Sequence, residues 1–236
     1  MNTVSIVIAI LNSHEIVRRQ IIHFHKMHLP PEVEILFIDD GSIPPLAEHF
    51  PHFFLKGIKI HATNDFRPWT QQIARNKGVK MASGEYVICT DIDHILTREL
   101  IDTVMSTTCD VVRFKRQAGV LDENGNLTQD VNELVRWGLP QARIDKKGLL
   151  LRPHGNSYGI RRELYLRLGG SREDKVTTYP SRDEVPMKRK IKKDPSITIS
   201  EYSPTIYMFP NGFYCGYKDY NPFGMFHNLS RKQCVM

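Results

Sequence analysis

Apolar residues occur in two kinds of block along the first half of the chain. Short continuous runs rich in Val and Ile are typical of strands buried on both faces of a sheet, and they lie at residues 4–11, 34–38, 58–62, 85–90 and 110–114. Between these runs, apolar residues recur every three or four positions, as on one face of a helix, at residues 15–28, 69–81 and 97–106. This alternation predicts an α/β fold with a mainly parallel central sheet flanked by helices.

Two details of the helices follow from the same pattern. In the first helix, Val17, Ile21, Phe24 and His28 are spaced to form one core-facing stripe. After the second helix, Ser83-Gly84 is typical of a C-cap, because glycine readily takes the left-handed conformation that ends many helices.

The pattern changes near residue 116, where short segments interrupted by Gly and Pro replace the regular blocks. Residues 122–125, with the sequence Asp-Glu-Asn-Gly, predict the turn of a hairpin. A strand is expected at residues 156–160 and a short helix at residues 161–168. We expect this second half to complete the fold and shape a pocket, so that residues 1–236 form a single domain.

The chain carries a net charge of +6, and much of the excess lies in the basic run from Lys188 to Lys193. Such a run is most often the solvated face of a helix, and peripheral contact with an anionic membrane is the alternative. Aromatic residues do not alternate with the basic ones, so a nucleic-acid partner is not expected. No apolar stretch reaches the roughly 20 residues of a transmembrane helix.

The cysteines and the N-terminus bear on the compartment. The four cysteines lie far apart and form no Cys-x-x-Cys pair, which argues against a zinc site and against a dense set of disulfides. The first residues lead into a buried strand and lack the basic flank and cleavage site of a signal peptide. We therefore expect a reduced, cytoplasmic protein.

Asp91-Ile92-Asp93 follows directly on the apolar run at residues 85–90. A buried lone charge is costly, so such a carboxylate pair is normally solvated, hydrogen-bonded or bound to a metal. The carboxyl end of a parallel strand is also where open α/β sheets bind their ligands. A plain turn is the structural alternative, since Asp is common in turns.

Several segments, taken in order, resemble the nucleotide-binding half of family 2 glycosyltransferases, which have the GT-A fold and a DxD motif. The resemblance is strong over residues 3–115 and weaker through residues 155–157, 161–162 and 168–170. The segments that carry it are Val4-Ser5-Ile6-Val7-Ile8, Ile38-Asp39-Asp40-Gly41-Ser42, Ala74-Arg75-Asn76-Lys77-Gly78, Ala82-Ser83-Gly84-Glu85-Tyr86 and Asp91-Ile92-Asp93.

The resemblance implies a metal site. It makes Asp93 the direct ligand of Mn²⁺ or Mg²⁺, which prefer hard oxygen ligands. Asp91 would bind the ribose, or the metal through water. Some enzymes of this fold close the metal site with a C-terminal histidine, for which His227 is the candidate and His94 a lesser one.

The resemblance also implies a nucleotide site. Asp40 would accept a hydrogen bond from the base, and the backbone around Ala9 to Leu11 would line the same slot. Arg75 would contact phosphate or orient the acid pair. Trp69 is a further candidate for nucleotide contact, with a core position as its alternative.

In inverting members of the family, a carboxylate deprotonates the acceptor hydroxyl. The acidic pair Asp183-Glu184 precedes a basic helix at the expected spacing, and we prefer Glu184 as the base. Glu173-Asp174 follows Gly169-Gly170 more closely and stays open as an alternative. The pair at 183–184 departs from the family pattern because Ser181-Arg182 precedes it and Pro186 follows it.

The leading interpretation is a metal-dependent, inverting hexosyltransferase that moves a sugar from a UDP- or dTDP-linked donor to a hydroxyl acceptor such as a glycan. Residues 1–116 would bind the nucleotide sugar and residues 117–236 the acceptor. A nucleotidyltransferase is the second interpretation, although residues 11–14 lack the glycines of a phosphate loop. The third is a non-catalytic nucleotide- or glycan-binding scaffold. No Gly-x-Gly-x-x-Gly follows a strand, so a dehydrogenase is not expected.

Overall fold

The computed structural model describes residues 1–65, 67, 70–151, 157–174 and 184–210. Strands and helices alternate in the first half, as the sequence pattern predicts. The strands are β1 (Val4–Ile10), β2 (Val33–Asp39), β3 (Ile58–Ala62), β4 (Tyr86–Asp91), β5 (His94–Ile95), β6 (Val111–Arg113), β7 (Lys115–Ala118), β8 (Val120–Leu121), β9 (Leu127–Thr128), β10 (Leu150–Leu151), β11 (Tyr158–Arg161) and β12 (Thr205–Met208). The helices are α1 (His14–Lys26), α2 (Leu46–His49), α3 (Gln71–Met81), α4 (Arg98–Ser106), α5 (Val131–Arg136), α6 (Gln141–Lys147), α7 (Arg162–Arg167) and α8 (Glu184–Lys193), with a 3₁₀ turn at His52–Leu55.

The main sheet has the strand order β3-β2-β1-β4-β11-β6. The first four strands run parallel, and β11 runs antiparallel to β4 and β6. Every residue of β1 and β4 is buried, because these strands lie in the middle of the sheet with helices on both faces. Residues of α1 and α4 pack on one face, and residues of α3, α7 and α8 pack on the other. The predicted mainly parallel α/β sheet is confirmed.

A second, smaller sheet with the order β10-β7-β12-β5 lies beside the first. Its strands come from distant parts of the chain: β12 pairs in parallel with β7 and antiparallel with β5. Leu134 and Trp137 belong to the buried cluster that covers this sheet. The predicted hairpin is also present, as β8 paired with β9.

The apolar stripe of α1 differs from the prediction at its end. Val17, Ile21 and Phe24 are buried as expected. The helix ends at Lys26, so His28 lies beyond it with φ 46° and is exposed. Its expected place in the core is wrong, because the helical spacing does not continue past residue 26.

The predicted C-cap at Ser83-Gly84 is also wrong. Helix α3 ends at Met81, and Ala82 already has an extended conformation (φ −59°, ψ 140°). Gly84 is needed for another reason: a Cβ atom there would lie 2.6 Å from the backbone nitrogen of Ser5. Glycine at 84 therefore permits close packing against β1.

Helix α8 is amphipathic. Met187 and Ile191 are buried, whereas the basic residues from Lys188 to Lys190 and at Lys192 and Lys193 are exposed. In the described part of the chain, every helix falls short of the length and apolar content that crossing a membrane requires.

Candidate functional site

The carboxyl ends of β1, β2 and β4 meet at one edge of the main sheet. Ala9 of β1 is in register with Ile38 on one side and with Asp91 on the other. Because parallel strands end at the same edge, Leu11, Asp40 and Asp91 come together there, as the sequence predicts.

Residues 91–94, Asp-Ile-Asp-His, run from the last residue of β4 to the first residue of β5, and we name them the acid loop. One potential ligand atom from each of Asp91, Asp93 and His94 lies within 4.8 Å of the others. Two carboxylates and an imidazole are a suitable donor set for Mn²⁺. The residues present therefore fit the divalent cation that the sequence implied.

The backbone of the acid loop is held from two sides. The Nε2 atom of Gln20, on α1, donates to the carbonyl oxygens of Ile92 at 3.2 Å and His94 at 2.8 Å. The backbone N–H of Phe209, just after β12, donates to the carbonyl oxygen of Asp93 at 2.9 Å. Gln20 is fully buried. These bonds fix the direction in which the loop presents its acidic side chains.

Asp91 is also bound through its side chain. Its Oδ1 atom accepts hydrogen bonds from Nη2 of Arg75 and Nε2 of Gln71, each at 2.7 Å. Arg75 is 3% exposed. Burial alone would lower the pKa of Arg75, but the Asp91 carboxylate outweighs it and raises that pKa above its ordinary value. Arg75 is therefore a fixed cation beside the acid loop.

Two further side chains of the site were missed or underrated in the sequence. His94 is buried, and its Nδ1 atom lies 3.2 Å from Oδ1 of Asp93 and 3.9 Å from Oδ2 of Asp91. Arg116 on β7 is also buried; burial lowers its pKa, and the charges of Asp93 and Asp91 oppose that shift. The sequence carried no signal for Arg116, because adjacent Lys115 has the same charge and only the pairing of β7 makes one exposed and the other buried.

The adjacent acids Asp39 and Asp40 have different surroundings. The two carboxylate oxygens of Asp39 accept hydrogen bonds from the backbone N–H groups of Ser42 and Leu46, each at 2.8 Å, and so hold the turn into α2. Asp40 accepts hydrogen bonds from the hydroxyl groups of Thr63 at 3.1 Å and Thr70 at 2.8 Å. Asp40 thus lies at the sheet edge, between the ends of β2 and β3 and the start of α3.

The loop after β1 is built without glycine. Asn12 and Ser13 both have left-handed backbones, with φ 55° and 56°. The backbone N–H of Asn12 donates to the hydroxyl of Ser42 at 2.7 Å, and its side-chain oxygen accepts from the N–H of Ile43 at 2.7 Å. Asparagine tolerates this conformation when its side chain bonds locally. The loops after β1 and β2 are therefore tied together beside Asp40.

Asn76, next to Arg75 on α3, binds the segment that follows Gly169-Gly170. Its Oδ1 atom accepts from the hydroxyl of Tyr165 at 2.6 Å and the N–H of Ser171 at 2.9 Å. Its Nδ2 atom donates to the carbonyl oxygen of Ser171 at 2.8 Å and to Oε1 of Glu173 at 2.7 Å. The segment that precedes the candidate base Glu184 along the chain is therefore bonded to α3, next to Arg75.

The remaining predicted residues concern the base, a further metal ligand and a nucleotide contact. Trp69, Asp183 and His227 lie outside the described residues, and Glu184 is the first residue of α8. Asp174 is exposed and accepts a hydrogen bond from Nε of Arg172 at 2.9 Å.

Comparison with known proteins identifies sequence relatives. The family model described as Glycosyl transferase family 2 matches residues 5–165. Glycosyltransferase GlyG of Streptococcus pneumoniae serotype 4 (strain ATCC BAA-334 / TIGR4) is 26% identical over 101 residues, which are 43% of this chain and 33% of that protein.

Solved structures share the fold. Residues 1–349 of S. aureus TarS match with a TM-score of 0.61 and 16% identity, over 87% of this chain and 60% of that chain. The mannosyltransferase PcManGT from Pyrobaculum calidifontis, in complex with GDP-Man and Mn²⁺, matches with a TM-score of 0.53 and 16% identity, over 88% and 57%. The predicted GT-A fold is confirmed. The chain spans less than two thirds of the length of each of these proteins.

Proposed function

The chain belongs to glycosyl transferase family 2, and we propose that it transfers a sugar from a nucleoside diphosphate sugar to a hydroxyl acceptor with inversion at the anomeric carbon. The observation that carries the proposal is the acid loop at the carboxyl end of β4, with the buried cation Arg75 bound to Asp91. In the proposal, residues 1–116 bind the donor and residues 117–236 complete the acceptor side of one domain.

The donor is proposed to be UDP- or dTDP-linked. TarS was solved in complexes with UDP and UDP-GlcNAc, which supports a nucleotide-sugar donor for a chain of this fold. Asp40 would accept a hydrogen bond from the base, and the backbone from Ala9 to Leu11 would line the slot beside it. Thr63 and Thr70 hold the Asp40 carboxylate in place for that contact.

Mn²⁺ or Mg²⁺ is the proposed cofactor. When bound, the cation supplies Lewis-acid stabilisation of the diphosphate that leaves the sugar. Arg75 and Gln71 both contact Oδ1 of Asp91, so we assign the direct contact with the cation to Asp93, and the ribose or a water-mediated contact to Asp91. His94 adjoins Asp93, and His227 stays a candidate further ligand.

A carboxylate is proposed to remove the proton of the acceptor hydroxyl as its oxygen attacks the anomeric carbon. Asn76 binds Glu173, and Arg172 binds Asp174. Because both of these carboxylates already serve local structure, we assign the base to the pair Asp183 and Glu184, with Glu184 preferred.

The partners and the compartment complete the proposal. We assign a glycan or another hydroxyl compound as the acceptor. For the exposed basic residues of α8, peripheral contact with an anionic membrane stays the alternative to a solvated helix face. A reducing cytoplasm is the proposed compartment, because the four cysteines lie far apart along the chain.

The experiment is transfer or hydrolysis of UDP- and dTDP-sugars, measured as release of nucleoside diphosphate with and without Mn²⁺. We expect release by the wild type with Mn²⁺ and a loss of about a hundredfold or more in Asp93→Ala. Asp102→Ala is the matched control, since Asp102 is a partly exposed acid paired with Arg98 on α4, away from the site. Unchanged, metal-independent release by Asp93→Ala would refute the metal role.

The same assay separates the alternatives. A nucleotidyltransferase would release pyrophosphate rather than nucleoside diphosphate. A non-catalytic scaffold would bind UDP but release no sugar with any acceptor.

A further inference from the structure

Arg116 is a buried cation in the middle of the second sheet. It is 4% exposed, and its strand neighbours are Leu151 on β10 and Ile206 on β12. Arginine is rarely buried unless an opposite charge accompanies it. The apolar strand neighbours provide none, so the compensating charge must lie where the side chain reaches.

The guanidinium extends toward the acid loop. Its Nη1 atom lies 3.3 Å from the sulfur of Met208, and Met208 is in register with His94 across β12 and β5. The next residue, Phe209, donates to the backbone of Asp93. The carboxylates of Asp93 and Asp91 both favour the charged form of Arg116 and oppose the effect of burial on its pKa. The acid loop therefore carries opposite charges that act on Arg116.

The acid loop thus lies between two buried arginines. Arg75 pairs with Asp91 from the side of α3, and Arg116 lies on the side of the second sheet, where the charges of Asp93 and Asp91 act on it. We propose that Arg116 is a positioning residue that neutralises the acid loop in the ligand-free protein, so that a divalent cation and the donor diphosphate bind together rather than singly. This inference rests on the proposed function.

The physical reason is charge balance. A free divalent cation approaches acids whose charge the arginines already cancel, so its attraction is weak. A dianionic sugar diphosphate and a divalent cation cancel each other's charge and leave the site balanced when both are bound. By thermodynamic linkage, each must then raise the affinity of the site for the other by the same factor.

The test is Mn²⁺ binding by calorimetry, with and without saturating UDP, for the wild type, Arg116→Met and the control Arg113→Met. Arg113 is an exposed arginine on neighbouring β6, so its variant removes the same charge away from the site. We expect UDP to tighten Mn²⁺ binding about tenfold or more in the wild type and the control. In Arg116→Met, Mn²⁺ alone should bind about tenfold more tightly, and the effect of UDP should shrink.

Equal Mn²⁺ affinity of Arg116→Met and the wild type, in the absence of UDP, would overturn the inference while leaving the proposed function intact. Absence of Mn²⁺ binding to the wild type even with UDP would overturn the proposed metal role as well.

If Arg116→Met does not fold, the melting temperature of Asp93→Asn tests the same inference. In Asp93→Asn, Arg116 loses one of the two carboxylates that act on it, so we expect a lower melting temperature than that of the wild type without metal. Neutralising one of two acids that merely repel each other should instead raise the melting temperature, and that result would overturn the inference.

Discussion

The Nη2 atom of Arg75 lies 2.7 Å from the Oδ1 atom of Asp91, and both side chains are almost wholly buried. The pair joins the first half of α3 to the last residue of β4. It therefore fixes the first acid of the acid loop to the helix that also carries Gln71 and Asn76, beside the place proposed for the diphosphate.

Arg75→Met should lower the free energy of unfolding by about 3–5 kcal/mol, because it leaves Asp91 buried without its partner. Urea unfolding measures the loss. Arg67→Met is the control, since Arg67 is 56% exposed in its pair with Asp65 and such pairs contribute about 0–1 kcal/mol. Equal losses in the two variants would contradict the buried-pair account.

Substitutions of the adjacent acids Asp39 and Asp40 should have different effects: the first on the free energy of unfolding, the second on the affinity for UDP. Asp39→Asn removes one acceptor from the backbone N–H groups of Ser42 and Leu46, and should cost about 1–3 kcal/mol of stability. Asp40→Asn replaces the proposed charged acceptor of the base, and should weaken UDP binding about tenfold. Urea unfolding and calorimetry check the two effects; a reversed pattern would contradict the assignment.

Gly170→Ala should loosen the Asn76 contacts. The φ of Gly170 is +62°, and a Cβ atom there would lie 2.5 Å from Oδ1 of Asn76. Gly57 has φ +79° but nothing within 4 Å of the same position. Gly57→Ala should therefore cost about 1 kcal/mol for the strained backbone alone, and Gly170→Ala about 1–3 kcal/mol more. Thermal unfolding measures the loss of stability in each variant. Equal losses would show that the close contact with Asn76 does not contribute.

Glu34 should make the free energy of unfolding depend on pH in the acidic range. Burial raises the pKa of Glu34, but hydrogen bonds from Ser5, Ser83 and Lys59 outweigh it and lower the pKa from 4.5 to about 2. Its stabilisation is therefore fully present above about pH 4.5 and is lost as the pH falls toward about 2.

Glu34→Gln should lower stability at pH 7 by about 1–2 kcal/mol, since partial exposure screens the interaction, and should flatten the stability curve between about pH 4.5 and 2. Urea midpoints measured across this range check it. Glu32→Gln, at an exposed position, is the control and should follow the wild-type curve. A Glu34→Gln curve as steep as that of the wild type would refute the assignment.

The residues proposed to bind the nucleotide sugar could largely be predicted from the sequence. Runs of Val and Ile mark the parallel strands, and the residues that follow each run share one edge of the sheet. That rule brings Ala9, Asp40 and Asp91 to one edge, and the resemblance to the family placed Arg75 beside the acid pair.

The second sheet was not accessible, because its pairing is non-local. Strand β12 begins at Thr205 and pairs with β7, which begins at Lys115, and strands of two to four residues show no reliable period. Arg116 on β7 and His94 on β5 owe their places to this pairing, and Gln20 on α1 bonds to the backbone of the acid loop that leads into β5. Local spacing also failed at His28, where the helix had already ended, and at Gly84, where a close contact with Ser5 decides the residue.

The most direct measurement is a crystal structure of the protein with UDP and Mn²⁺. The account predicts the metal bound to Asp93 and to the diphosphate, with Arg75 still bound to Asp91 and the uracil beside Asp40. A diphosphate bound elsewhere, away from the acid loop, would contradict the account.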